Sequence, residues 1–128
     1  MQTRGRILVM NDTELVREVL SAQLPAIGYE GEFAKDGAET IELYVKAKAS
    51  GCPFDAVILD LEVPGGMGGE ETIKKLLEID PGVKAIISSG NSTHIVITNF
   101  VRYGFRGVLI KPYEIEELEE KLNELMKE

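Results

Sequence analysis

Apolar runs and helix-spaced stretches take turns along this chain. Residues 7–10 and 56–59 are unbroken apolar runs. Residues 83–88, with Ala85, Ile86 and Ile87 as their core, and residues 108–110 are further short apolar segments. Such runs bounded by turn signals read as strands buried on both faces. Residues 29–34 differ, because Glu30 and Glu32 alternate with Gly31 and Phe33. That alternation predicts an edge or half-exposed strand.

Helical spacing fills the gaps. Leu15, Val16, Val19, Leu20 and Leu24 recur on one face after Thr13, a residue able to cap. Pro25 is expected to end or kink this helix, since it lacks an N–H and clashes with the preceding turn. Gly28 is its terminator. Asp36 and Glu39 have capping-box spacing and open a helix over residues 37–49, with Ala38, Ile41, Tyr44 and Val45 inward. Residues 70–79 form a helix with Ile73, Leu76 and Leu77 on one face, stopped by Asp80-Pro81-Gly82. Residues 95–98 favour a strand by propensity. Yet Ile95, Val96, Phe100 and Tyr103 fit a helical face with Ser92 as cap, and the surrounding alternation decides for helix. Residues 114–126 are strongly amphipathic, with Ile115, Leu118, Leu122 and Leu125 aligned. Five strands alternating with five helices predict a doubly wound, mostly parallel α/β sheet.

Composition narrows the class. A chain of 128 residues reads as one domain, 1–128, large enough to bury a core without staples. Its 44% hydrophobic and 28% charged content is that of a soluble globular protein. A net charge of -8 repels phosphate backbones and argues against direct nucleic-acid binding. Cys52 is the single cysteine, so no internal disulfide is possible, which fits a reducing compartment. It lies in a Ser-Gly-Cys-Pro loop without a nearby His, a poor place for a functional thiol. No apolar run has the length of a membrane span, and the N-terminus lacks a signal-peptide core. A cytoplasmic location without membrane insertion is expected. Glutamates on the last helix read as a solvated face, and Met67 and Met126 as gap-filling apolar residues.

Polar groups gather where four of the strands end. Asn11 and Asp12 follow the first, Asp60 the third, Ser88 and Ser89 the fourth, and Lys111 the fifth. In a parallel sheet these ends share one edge, where open α/β sheets place their sites. Pro64 and four glycines follow Asp60 closely and let backbone approach a ligand. Two carboxylates suit a hard divalent cation such as Mg²⁺. A carboxylate can attack phosphorus to give an acyl phosphate. A hydroxyl and a lysine can then donate to phosphoryl oxygens, so that catalysis is positioning plus charge stabilisation. Singly, each residue has an ordinary role: Asp12 as a helix cap, Ser89 as a turn hydroxyl, Lys111 as a solvated cation, Asp60 as a strand terminator. Their coincidence carries the reading.

Ile-Leu-Val-Met-Asn-Asp, Ile-Leu-Asp-Leu-Glu-Val-Pro-Gly-Gly-Met-Gly-Gly, Ile-Ile-Ser-Ser-Gly and Leu-Ile-Lys-Pro-Tyr resemble the receiver domains of two-component response regulators. The likeness spans essentially the whole chain and is closest to receivers attached to hybrid sensor histidine kinases. It implies a flavodoxin-like (βα)5 fold with strand order 2-1-3-4-5. It implies that Asp60 accepts a phosphoryl group from a phosphohistidine of a sensor histidine kinase or phosphotransfer domain, with Mg²⁺. Asp12 matches the acidic metal ligand, the Glu62 carbonyl a further ligand, and Ser89 and Lys111 the Ser/Thr and lysine of the family.

Three positions depart from that pattern. Asn11 stands where a second acid is usual, and Glu62 is expected to supply part of the missing charge. Val108 stands where an aromatic switch residue is common. The glycine-rich loop after Asp60 is one residue longer, and mobility is expected there. His94 reads as a surface residue at the start of the fourth helix. Two alternatives accompany the phosphoacceptor reading. One is a receiver-like interaction module acting without phosphorylation. The other is a flavin- or nucleotide-binding protein of similar architecture, against which stands the acidic Asn11-Asp12-Thr13-Glu14 after the first strand.

Overall fold

The computed structural model describes residues 3–128. Its strands are β1 (Gly5–Met10), β2 (Tyr29–Ala34), β3 (Ala56–Asp60), β4 (Ala85–Ser89) and β5 (Gly107–Ile110). They alternate with α1 (Glu14–Ala26), α2 (Gly37–Ala49), α3 (Gly69–Ile79), α4 (Ile95–Thr98) and α5 (Ile115–Met126). All pairings are parallel, in the order β2-β1-β3-β4-β5. The polar strand β2 lies at an edge, as its alternation predicts. The apolar strand β3 lies at the centre and is buried along its whole length.

Side-chain alternation splits the core in two. Ala56, Ile58, Ile86 and Leu109 face α1 and α5, joining Leu20, Leu24, Leu118 and Leu122. Val57, Leu59 and Ile87 face the other way, joining Tyr44, Ile73, Leu76 and Val96. Each fully buried Leu or Ile stabilises the fold by about 1.5–3 kcal/mol. β1 pairs with β2 on one side and β3 on the other. The chain order therefore reverses at β1 and β3, and a crevice opens beyond their carboxyl ends.

Several local expectations are corrected. Pro25 lies inside the last turn of α1, and the helix runs one residue further before Gly28 turns at φ +90°. A proline so close to the end removes little of the hydrogen-bond ladder. Thr13 occupies the N-cap position of α1 but makes no side-chain cap bond. Leu15 and Val19 are 68% and 47% exposed, and the buried stripe is Leu20 and Leu24. The inward face of α2 is Gly37, Thr40, Tyr44 and Ala47, while Ala38 and Val45 point outward. Gly37 and Thr40 hid that face from an apolar-only pattern. Asp36 does cap α2, its Oδ1 accepting the Glu39 N–H at 2.9 Å, while Glu39 accepts the Lys35 N–H.

The fourth helix is a single turn capped by His94, whose Nδ1 accepts the Val96 N–H, rather than by Ser92. β-Branched residues have low helix propensity. The Asn99 backbone N–H and side-chain amide both donate to the Ile95 carbonyl and close the turn.

Tyr44 ties α2 to the end of α3 by donating to Asp80 Oδ2 at 2.7 Å. This bond is the main cause holding the Asp80 carboxyl below its ordinary range. A depressed acid adds stability above its unfolded pKa and loses it as pH falls through the folded value. Tyr44→Phe is expected to cost about 1–2 kcal/mol in urea unfolding at neutral pH. The difference from wild type should shrink below about pH 4, where the unfolded carboxyl is protonated.

Candidate functional site

Asp60 ends β3, at the carboxyl edge beside the β1–β3 crevice. It is only 4% exposed. Lys111, the first residue beyond β5, reaches back so that its Nζ donates to Asp60 Oδ1 at 3.0 Å. The Glu62 backbone N–H lies near enough to favour the charged form of this carboxylate. Burial pushes the Asp60 carboxyl above its usual value, Lys111 and the Glu62 N–H pull it down, and the charge of Asp12 raises it further. The balance is upward, so the site holds a carboxylate that is short of positive charge.

Asp12 is exposed at the rim, after β1. Asn11 is buried and turned to its own loop, its Oδ1 accepting the Thr13 N–H at 2.9 Å. Arg17 closes that corner by donating to the Asn11 carbonyl at 2.7 Å. Glu62 is exposed beside Asp60. Ser89 is buried, and its Oγ accepts the Asn91 N–H at 3.0 Å. Its carbonyl accepts the Lys111 N–H at 2.8 Å, which fixes where the lysine leaves the sheet. The structure thus joins Asp60 directly to Lys111 and sets Asp12 within electrostatic reach. It does not hydrogen-bond the Ser89 hydroxyl to either. His94 sits at the α4 N-cap, half-buried, and lines a cavity with Leu61 and Glu62.

Two residues at the site had no assigned role in the sequence. Tyr113 follows the cis Lys111–Pro112 peptide and packs against the α1–α5 cluster. Burial and, secondarily, the Asp60 charge push its hydroxyl up to about 12. Arg17 is the other, and its spacing on α1 gave no signal of the loop it closes.

The glycines after Asp60 have a steric reason. A Cβ on Gly68 would lie 2.6 Å from the Leu61 carbonyl oxygen, and one on Gly69 would lie 2.9 Å from the Asp60 carbonyl oxygen. Both contacts are with backbone, which has little room to yield at the end of a central strand. Gly68→Ala is expected to cost about 1–3 kcal/mol by strain, read as a lowered melting temperature.

Asp12, Asp60 and nearby backbone carbonyls form an all-oxygen set, the donor chemistry Mg²⁺ prefers. Burial is the main cause that raises Asp60, and the lesser repulsion from Asp12 is what a divalent cation would relieve. Among the described residues no cluster of three or more His, Cys, Asp or Glu side chains forms a metal cage. Mg²⁺ needs only one or two carboxylates and keeps its waters, so the donor set fits it.

The family model for the response regulator receiver domain matches residues 7–123. The chemotaxis protein CheY of Thermotoga maritima is 30% identical over 124 residues, covering 95% of this chain and 98% of that protein. The sporulation initiation phosphotransferase F of Bacillus subtilis is 25% identical, covering 94% and 93%. Among solved structures, CheY4 of Vibrio cholerae aligns with a TM-score of 0.81 at 26% identity, covering 98% of this chain and 99% of that one. The receiver domain of the Pseudomonas aeruginosa sensor histidine kinase PA1611 aligns with a TM-score of 0.84 at 21% identity, covering 97% and 98%. That structure is described with a magnesium ion coordinated in its active-site cleft. This chain belongs to the response regulator receiver domain family of two-component systems. The flavin- or nucleotide-binding alternative gives way to that assignment.

Proposed function

We propose that this receiver accepts a phosphoryl group on Asp60 from the phosphohistidine of a sensor histidine kinase or phosphotransfer domain. One observation carries the reading. Asp60 is a nearly buried carboxylate at the open edge of the sheet, paired to Lys111 at 3.0 Å. A carboxylate buried only for packing has no reason to end a central strand at the sheet's functional edge with a lysine folded over it.

The chain's own groups divide the work. Asp60 is the nucleophile, and Lys111 holds one of its oxygens and can follow the negative charge onto the transferred group. Ser89, whose Oγ accepts the Asn91 N–H and keeps its own proton to give, is the second donor to phosphoryl oxygens. Asp12, Asp60 and the Glu62 carbonyl would hold Mg²⁺, with Glu62 and Asn11 around it. When bound, that ion offsets the repulsion between Asp60 and the incoming phosphoryl group. Phosphorylation then shifts an equilibrium between surface conformations. The one-turn α4, followed by turns as far as Gly104, is the segment with the least regular helix to reorganise.

Phosphoramidate tests the reading, because its P–N bond has the chemistry of a phosphohistidine. Intact mass should show one phosphoryl adduct with Mg²⁺ and none with excess chelator. Equal labelling in both would contradict the metal's role. A chain left unlabelled with Mg²⁺ would favour a receiver that acts without phosphorylation, a reading supported by the Asn11 side chain's commitment to its own turn.

A further inference from the structure

Among the described residues one buried side-chain polar atom has no hydrogen-bond partner, and it is Ser88 Oγ. Ser88 is 3% exposed. It lies in β4, whose other interior positions Ala85, Ile86 and Ile87 are apolar. An unmade hydrogen bond in such a place costs stability. Alanine would fill the same space without that cost.

The sheet register shows where the hydroxyl points. Ser88 pairs with Asp60 on one side and with Leu109 on the other. Paired residues of a parallel sheet project to the same face, on strands about 4.8 Å apart. Ile86 and Leu109 face α1 and α5, so Ser88 and Asp60 face that way too. Lys111, two residues beyond Leu109, continues the same alternation and meets Asp60 there. Ser89 is offset by one residue and follows Ile87 onto the opposite face. Of the two serines, Ser88 is therefore the one beside the Asp60–Lys111 pair. Its register neighbours are one carboxylate and one leucine, so Asp60 is the polar group it can serve.

We propose that Ser88 is a positioning residue for phosphoryl transfer, an inference that rests on Asp60 being the phosphoacceptor. In the resting state Lys111 Nζ holds Oδ1 of the carboxylate. With acetyl phosphate as donor, an Asp60 oxygen bonds to phosphorus as the P–O bond to acetate breaks, and acetate leaves with that electron pair. The Asp60 oxygen not bonded to phosphorus becomes a carbonyl oxygen. Lys111 moves with the negative charge to the phosphoryl oxygens. Ser88 Oγ–H then donates to the carbonyl oxygen that the lysine has left, and this holds the other oxygen in line with phosphorus. The hydroxyl's missing bond is made only along the reaction, which is how a group raises a rate rather than an affinity.

Ser88→Ala separates this role from a structural one. The variant is expected to melt a few degrees above wild type, because an unpaired buried hydroxyl is removed. Its maximal rate of phosphorylation by acetyl phosphate with Mg²⁺ is expected to fall about fivefold, the size of one neutral hydrogen bond. The half-saturating acetyl phosphate concentration should not change. A rate within twofold of wild type would overturn the proposal, and so would a lowered melting temperature, which would mean the hydroxyl is already satisfied. Wild-type chain that takes up no phosphoryl group would sink the phosphoacceptor reading along with it. A labelled wild type and an equally fast variant would sink the Ser88 role alone.

Discussion

Asp60→Asn is expected to abolish phosphoryl uptake and, at neutral pH, to raise the melting temperature by several degrees. The first effect is chemical: an amide oxygen is no nucleophile toward phosphorus, and the Ser89 and Lys111 donors are left with nothing to act on. The second follows from burial. Burial and the charge of Asp12 hold the Asp60 carboxyl above its usual range despite Lys111. An acid whose folded pKa is raised binds its proton more tightly in the folded state. Ionised Asp60 therefore destabilises the fold above that pKa, and acidification through it restores stability. Asparagine keeps the shape and can still accept the Lys111 hydrogen bond without a charge to desolvate. Melting curves at several pH values check the sign. Wild type should gain on Asp60→Asn as the pH falls toward the carboxyl's own range. A fold made less stable by Asp60→Asn at neutral pH would show that Asp60 is a structural ion-pair member.

Removing the other partner has the opposite effect. Lys111→Ala leaves a carboxylate 4% exposed with no cation in bonding contact. Removing one member of a fully buried pair costs about 3–5 kcal/mol, because the remaining charge is stranded. The Lys111 side chain is 32% exposed, so water shares part of its work. The expected cost is about 2 kcal/mol in urea unfolding at neutral pH, below that buried-pair range. It should shrink on acidification as Asp60 takes a proton. In the Asp60→Asn background the same lysine change should cost far less, since no stranded charge remains. That coupling is read directly by a double-mutant cycle.

The strong features of this fold were legible because local and global signals agree in them. β3 is an apolar run ending in an acid, and it is the central strand ending in Asp60. α2 was bounded to the residue because Asp36 caps it as the spacing required. Its inward face was legible at Ile41 and Tyr44 but not at Gly37, which approaches Thr72 and Met67 closely, nor at Thr40, whose hydroxyl donates to the Asp36 carbonyl. The shortness of α4 was hidden in the same way. Its apolar spacing fits a longer helix, but its residues are β-branched, with low helix propensity, and it ends after one turn.

At the site, the residue types were readable and the contacts were not. Lys111 and Asp60 are 51 positions apart, and only the sheet register brings them to 3.0 Å. Ser88 and Ser89 look alike in sequence, and only strand alternation gives them opposite faces. Val108 is partly buried among the residues on the α2–α3–α4 side, next to Ile87 across the ladder.

The central claim is that Asp60 carries the phosphoryl group, and one measurement meets it most directly. Wild type and Asp60→Asn are incubated with acetyl phosphate and Mg²⁺ and weighed intact under conditions that preserve an acyl phosphate. A phosphoryl group carried on Asp60 gives a single adduct on wild type and none on the variant. An unmodified wild type, or equal adducts on both chains, would contradict it.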